Sequence, residues 1–176
     1  MFFSHNSFLA KIMNKNLNIK SLLIDKPLKL DCGQTINDFP LAYETYGSLN
    51  DNKDNAILVF HALTGDQFAS GINPVTKREG WWDSAVGPNK ALDTNKYFVI
   101  CANVLGGCMG SYGPTNIDSN TNKMFGITFP VITIRDMVRT QKYLLDYLEK
   151  STTSLRINGF VIKLFFIYVY DSYDYL

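Results

Sequence analysis

The run Ala56-Ile57-Leu58-Val59-Phe60-His61-Ala62-Leu63-Thr64-Gly65 decides the fold. Its first five residues are apolar without interruption, after the polar stretch Ser48–Asn55. Such a run predicts a strand covered on both faces, as in a parallel sheet. Tyr97–Ala102 is a second run of the same kind. The long stretch between them, with Gly65, Gly71, Pro74, Gly80, Gly87 and Pro88, reads as loop with a short helix near Trp81–Ala85. Upstream, Leu28–Leu30 and Leu41–Gly47 read as short strands, with Asp31-Cys32-Gly33 as a turn. Downstream, Leu105–Pro130 is rich in Gly, Asn, Ser and Thr, and loops of that length in a domain are usually functional. Thr133–Lys150 then reads as a helix, with Ile134, Met137, Val138, Gln141, Leu144, Leu145 and Leu148 on one face. Thr133 and Asp136 resemble a capping box that uses Asp in place of Glu. The order predicts an α/β fold with a mostly parallel sheet and one long helix, Thr133–Lys150.

The composition narrows the function classes. The chain has 176 residues, 46% of them hydrophobic and 19% charged. One domain with a buried core fits that length. A formal net charge of +1 supplies no field to hold nucleic acid or an anionic membrane. His5 and His61 are the only histidines, so a multi-histidine metal site is excluded. Cys32, Cys101 and Cys108 lack paired C-x-x-C spacing, and a reduced, cytoplasmic chain is the expectation. The longest apolar run, Phe160–Tyr170, is too short to span a membrane and carries Lys163. At the start, lysines follow Phe2, Phe3, Phe8 and Leu9 rather than precede them, which is not the order of a secretory signal. Residues 1–27 therefore read as an N-terminal extension, in which Met13 is an alternative start.

Three segments carry candidate chemistry. His61–Gly65 leaves the C-terminal end of a predicted central strand, the edge where ligands bind in open α/β sheets. Backbone N–H groups turned outward there can stabilise a developing oxyanion. Gly80-Trp81-Trp82-Asp83 either walls a pocket or packs in the core. Asn103–Pro114 has glycines at 107, 110 and 113 that allow close backbone approach, but in neither the dinucleotide nor the P-loop pattern. No histidine is placed to activate Cys108 as a nucleophile. Ser111 is not in a nucleophile elbow, because G-x-S-x-G needs Gly where Met109 stands.

Taken in order, these pieces carry a resemblance. Leu41-Ala-Tyr-Glu-Thr-Tyr-Gly-x-Leu-Asn50, His61-Ala-Leu-Thr-Gly-Asp66, Gly80-Trp-Trp-Asp83, Asn103-Val-Leu-Gly-Gly107, Gly110-Ser-x-Gly-Pro114 and Thr133-Ile-Arg-Asp-Met-Val138, with Gln141, follow one another. The series resembles homoserine O-acetyltransferase, an α/β-hydrolase-fold acyltransferase family of methionine biosynthesis, over residues 28–150. The resemblance implies transfer of an acetyl group from acetyl-CoA, through a serine ester, to the hydroxyl of L-homoserine. It implies that the Leu63 backbone N–H forms half of the oxyanion hole, and that His61 is not the catalytic base. It implies small-molecule substrates, no bound cofactor beyond acetyl-CoA as co-substrate, and, as family members commonly pair, a homodimer.

Residues 151–176 depart from that family. No G-x-S-x-G follows the helix, and Asp171-Ser172-Tyr173 has no flanking glycines. Seven of the seventeen residues from Phe160 to Leu176 are aromatic. The tail reads either as out-of-frame translation after about residue 150 or as a divergent final strand. The nucleophile, Asp and His of the triad are then absent, and the chain is expected to be an inactive, truncated α/β-hydrolase fold. Alternative readings are a non-catalytic interaction module and a homoserine or serine O-succinyltransferase of the same superfamily.

Overall fold

A computed structural model of the chain describes residues 19–150 and the pair Ile162–Lys163. In chain order its elements are β1 (Ser21–Ile24), β2 (Leu28–Lys29), β3 (Thr35–Ile36), β4 (Phe39–Tyr46), β5 (Ala56–Phe60), β6 (Val86–Gly87), β7 (Leu92–Asp93), β8 (Phe98–Ala102), β9 (Ile117–Asp118), β10 (Lys123–Met124), a 3₁₀ turn (Gly126–Thr128), α1 (Ile134–Lys150) and β11 (Ile162–Lys163). One sheet holds five strands in the order β1-β4-β8-β5-β11. β5 and β8 run parallel, Ala56 opposite Phe98 and Val59 opposite Cys101. β11 lies parallel on the other side of β5, Ile162 opposite Val59. β4 pairs antiparallel with both β1 and β8. The sheet is thus mixed: β4 runs against the other four strands, which share one direction. Residues 25–38, which hold β2 and β3, connect β1 to β4.

Alternation divides the central strands between two cores. Ala56, Leu58, Ile100 and Ala102 join Leu41, Leu144 and Leu145 between the sheet and α1. Ile57, Val59, Val99 and Cys101 join Ala69, Val86 and Leu92 in the second core, against which Trp81 and Trp82 pack. The two indoles stack with centroids 5.7 Å apart and 7° between their planes. Core packing, not a pocket wall, is therefore their place. Trp81–Ala85 is a series of turns rather than the expected short helix. Asp83 N–H reaches Gly80 O at 3.1 Å and Ala85 N–H reaches Trp82 O at 2.9 Å, and β6 begins at the next residue.

Two boundaries differ from the sequence reading. β1 lies within residues 1–27, yet it is a full member of the sheet, with Ser21 opposite Ala42 and Ile24 opposite Phe39. Ile19 is buried beside Ala42 and Phe68. The folded body therefore begins ahead of Leu28. The Asp31-Cys32-Gly33 turn is present, but it joins β2 to β3. The readings of Met13 as a start and of the tail fall outside the described residues, apart from β11. The long stretch Leu105–Pro130 is held by an aromatic cluster. Tyr112 stands 6.1 Å from Phe39, 5.8 Å from Phe125 and 5.5 Å from Phe129, between ring centroids.

The capping box forms. Asp136 N–H donates to Thr133 Oγ1 at 3.2 Å, and Thr133 N–H donates to Asp136 Oδ2 at 3.0 Å. The β2–β3 turn docks on it: Thr133 Oγ1 donates to Asp31 Oδ2 at 2.7 Å, Asp31 N–H to Asp136 Oδ1 at 3.1 Å, and Arg139 bridges both carboxylates. The Thr133 hydroxyl and the Arg139 guanidinium hold the Asp31 carboxyl below its ordinary range. Asp136 thereby takes the inward place of the first helical turn, and Ile134, expected on the buried face, is exposed. Farther along, Thr140, Gln141, Leu144 and Leu145 are buried as the periodicity requires.

Thr133→Ala removes the cap hydroxyl and is expected to lower stability by about 1 kcal/mol, read by urea denaturation, whereas Thr133→Ser is expected to lie close to the parent. Equal stabilities of Thr133→Ala and the parent would count against the cap as a stabilising contact.

Candidate functional site

The parallel register of β5 and β8 sets their C-terminal exits side by side, His61 after one and Asn103 after the other. The His61 ring bridges them. Its Nδ1 lies 2.7 Å from the Ala62 carbonyl oxygen, which can only accept, so Nδ1 carries the proton. Its Nε2 accepts the Val104 N–H at 3.2 Å, with the Asn103 side-chain amide 3.4 Å away. The ring is therefore the neutral Nδ1–H tautomer, with its free lone pair already engaged. Burial pushes its pKa below the ordinary histidine value, against the pull of the Ala62 carbonyl and of Asp66. A base needs a lone pair facing the substrate, so this geometry makes His61 a structural bridge.

Asn103 extends the network. It is fully buried. Its N–H donates to Ala42 O at 2.8 Å, tying the β8 exit to β4. Ser111 closes the same corner: its hydroxyl donates to Asn103 O at 2.6 Å and accepts the Ala42 N–H at 3.0 Å. With both roles filled, Ser111 is a structural serine. Gly107 sits where a Cβ would fall 2.4 Å from Asn103 Oδ1 and 2.8 Å from Val104 O, so only glycine lets the loop fold back this tightly. Nothing in the sequence signalled the roles of Asn103 and Ser111. A hydrogen bond between residues from different strand ends has no local pattern.

The loop after β5 is fixed from its other end. Asp66 accepts Phe68 N–H at 2.8 Å and Asn73 Nδ2–H at 3.0 Å, and its carbonyl accepts the Trp81 indole N–H at 2.8 Å. Burial raises the Asp66 carboxyl above its ordinary pKa. Asp83 is the opposite case. The Lys90 ammonium, Gly71 N–H and Ser70 hydroxyl bring it down to about 2. Cys101 is buried, and burial raises its thiol well above the reactive range, whereas Cys32 and Cys108 are exposed.

Between these anchors, Ala62–Gly65 forms a β-turn closed by Gly65 N–H to Ala62 O at 2.8 Å. Leu63 occupies its second position and is 88% exposed. No described residue accepts its N–H. Leu63 borders a cavity of about 260 Å³ together with Val104, Gly106, Gly107, Phe129 and Met137. No charged side chain lines it. Among the described residues no cluster of His, Cys, Asp or Glu could hold a metal ion, and no helix is long and apolar enough to cross a membrane.

Comparison with known proteins then identifies the lineage. Homoserine O-acetyltransferase of Pelagibacter ubique strain HTCC1062 is 74% identical over 135 residues, covering 77% of this chain and 36% of the relative. Over most of its length the chain is thus similar to part of a homoserine O-acetyltransferase. It spans about a third of the length of the curated relatives it matches. No protein-family model matches it. Among solved structures, homoserine O-acetyltransferase from Bacillus anthracis superimposes with a TM-score of 0.66 at 33% identity, over 74% of this chain and 36% of that one. Esterase E22 does so with a TM-score of 0.66 at 34% identity, over 81% of this chain and 41% of that one. The α/β-hydrolase fold expected from the sequence is thereby established. Many of the motif residues behind the resemblance, among them His61, Asp66, Trp81, Asp83, Asn103 and Ser111, turn out to hold the strand-end loops together.

The tautomer of His61 sets a pH dependence. The unfolded chain binds a proton at about pH 6.5, and the folded ring binds it only at lower pH. The unfolded state therefore holds more protons below 6.5, and stability falls as pH drops through that window. For one proton the slope is at most about 1.4 kcal/mol per pH unit. Asp66 works in the opposite direction, in a window that opens at its ordinary value of 3.8. Urea denaturation at pH 7.5 and 5.5 should show the loss in the parent and a smaller loss in His61→Asn. Parallel losses in the two proteins would remove His61 as its source.

Proposed function

We propose that this chain is the oxyanion-donor part of an acyltransferase that moves an acetyl group from acetyl-CoA to L-homoserine. The observation that carries the reading is the Leu63 N–H, left without an acceptor among the described residues on a turn at the exit of a central parallel strand. In the first half-reaction a serine oxygen attacks the thioester carbonyl, the carbonyl oxygen gains negative charge, and the CoA thiolate leaves with a proton. In the second, the homoserine hydroxyl attacks the serine ester, and the serine oxygen leaves with a proton. Both steps pass through an oxyanion, and an N–H aimed at it lowers both barriers. The 176 residues contain no G-x-S-x-G, and we propose that by themselves they do not turn over acetyl-CoA.

Acetyl is favoured over succinyl as the group transferred. The Pelagibacter, Mesorhizobium and Nitrobacter relatives are each named homoserine O-acetyltransferase, at 74%, 57% and 56% identity. Transfer to homoserine is favoured over hydrolysis because the sequence is far nearer the Pelagibacter transferase, at 74%, than esterase E22, at 34%. A cytoplasmic setting and a place in methionine biosynthesis belong to the same proposal.

Grafting residues 28–150 over the matching stretch of the Pelagibacter enzyme tests this. The chimera is expected to acetylate homoserine, with succinyl-CoA a poor donor, while the 176-residue chain stays at background. Leu63→Pro in the chimera, which deletes the N–H, is expected to lower kcat about 10²–10³-fold. A folded Leu63→Pro chimera with undiminished kcat would exclude the oxyanion assignment.

A further inference from the structure

We infer that His61 is a positioning residue, whose protonated Nδ1 aims the Leu63 N–H by gripping the other end of the same peptide group. The inference rests on the oxyanion role proposed above for Leu63. Ala62 C=O and Leu63 N–H belong to one peptide plane, and every peptide bond described is trans. In a trans peptide the carbonyl and the N–H point in opposite directions. The Ala62 oxygen is held by two donors, His61 Nδ1–H at 2.7 Å and Gly65 N–H at 2.8 Å. Both lone pairs of that oxygen are used, so the plane cannot rotate without breaking two hydrogen bonds. The Leu63 N–H is thereby turned away from the imidazole.

The ring is fixed in turn. The Val104 N–H on Nε2 keeps the proton on Nδ1, because a proton on Nε2 would face a donor. One imidazole therefore links the exit of β8 to the orientation of a peptide at the exit of β5. Gly65 takes part through its own smallness. A Cβ there would lie 2.9 Å from His61 Cβ, so a larger residue would push the ring off the Ala62 carbonyl.

Two substitutions separate the halves of the ring. The amide nitrogen of Asn falls where Nδ1 stands, and the amide of Gln reaches where Nε2 stands. His61→Asn therefore keeps a donor to Ala62 O and loses the acceptor for Val104, and His61→Gln does the reverse. In ¹⁵N-labelled 176-residue chain, long-range ¹H–¹⁵N spectra are expected to show Nδ1 protonated and Nε2 bare. The residual dipolar coupling of the Leu63 N–H is expected to be retained in His61→Asn and lost or changed in His61→Gln, with the opposite pattern at Val104. An Nε2–H tautomer, or one Leu63 coupling shared by the parent and both variants, would overturn the inference. If His61→Gln does not fold, the parent tautomer and the His61→Asn coupling decide the matter alone. In the chimera, His61→Gln is expected to lower kcat at least tenfold more than His61→Asn at similar KM. The expected couplings without that difference in kcat would leave the positioning intact and defeat the oxyanion role instead.

Discussion

The in-step parallel pairing of β5 and β8 is the constraint on which the rest depends. Both strands are apolar on both faces, so each must be covered twice, by α1 on one side and by the loop after β5 on the other. Their register ends them at the same level. The two following residues, His61 and Asn103, are then neighbours, although 42 positions separate them in the chain. Slip the register by one residue and every core side chain changes face. The imidazole would no longer meet Val104, and Ser111 would no longer reach Ala42 and Asn103 together.

The strand exits are built from polar groups, and almost all of them are satisfied. Buried donors and acceptors left alone are costly, and the corner around Asn103 and Ser111 accordingly leaves no hydroxyl or carbonyl idle. In the turn after β5, by contrast, the N–H groups of Leu63 and Thr64 have no acceptor among the described residues. Both residues are exposed, so water can satisfy these groups at no folding penalty. Among the described residues, the buried side chains whose polar atoms lack a partner are Gln67, at its carbonyl oxygen, and Gln141, at its amide nitrogen.

What could be read in the sequence was whatever has a local or periodic cause. Ala56–Phe60 announced double burial by an unbroken apolar run. Thr133 and Asp136 announced a helix start, because capping acts over three residues. Leu63 was reached through a motif whose order is specific, and the strand exit on which it stands is where the apolar run ends. The failures have a common cause. β1 was missed because Ser21–Ile24 gains its strand character from pairing with β4, not from its own alternation. Trp81–Ala85 looked helical from composition, yet the Trp81 indole bond to Asp66 and the packing of both rings on the second core hold the chain in turns. Ile134 fits the helical period and is exposed, because the buried stripe enters the first turn at Asp136, which a distant turn holds inward. Asn103 and Ser111 carry no local signal at all.

The docking of Asp31 on the start of α1 sets an order of events during synthesis. The Thr133–Asp31 hydrogen bond spans 102 positions. At about 5–20 residues per second, the β2–β3 turn leaves the ribosome several seconds before the helix that it completes. Through that interval the turn has no partner and a helix end does not yet exist. Closing a loop of this length costs only slightly more entropy than closing one half as long, so the delay is vectorial rather than energetic. The first turn of α1 is consequently finished by a segment made 102 positions earlier, and the β2–β3 hairpin acts as a waiting template for the helix.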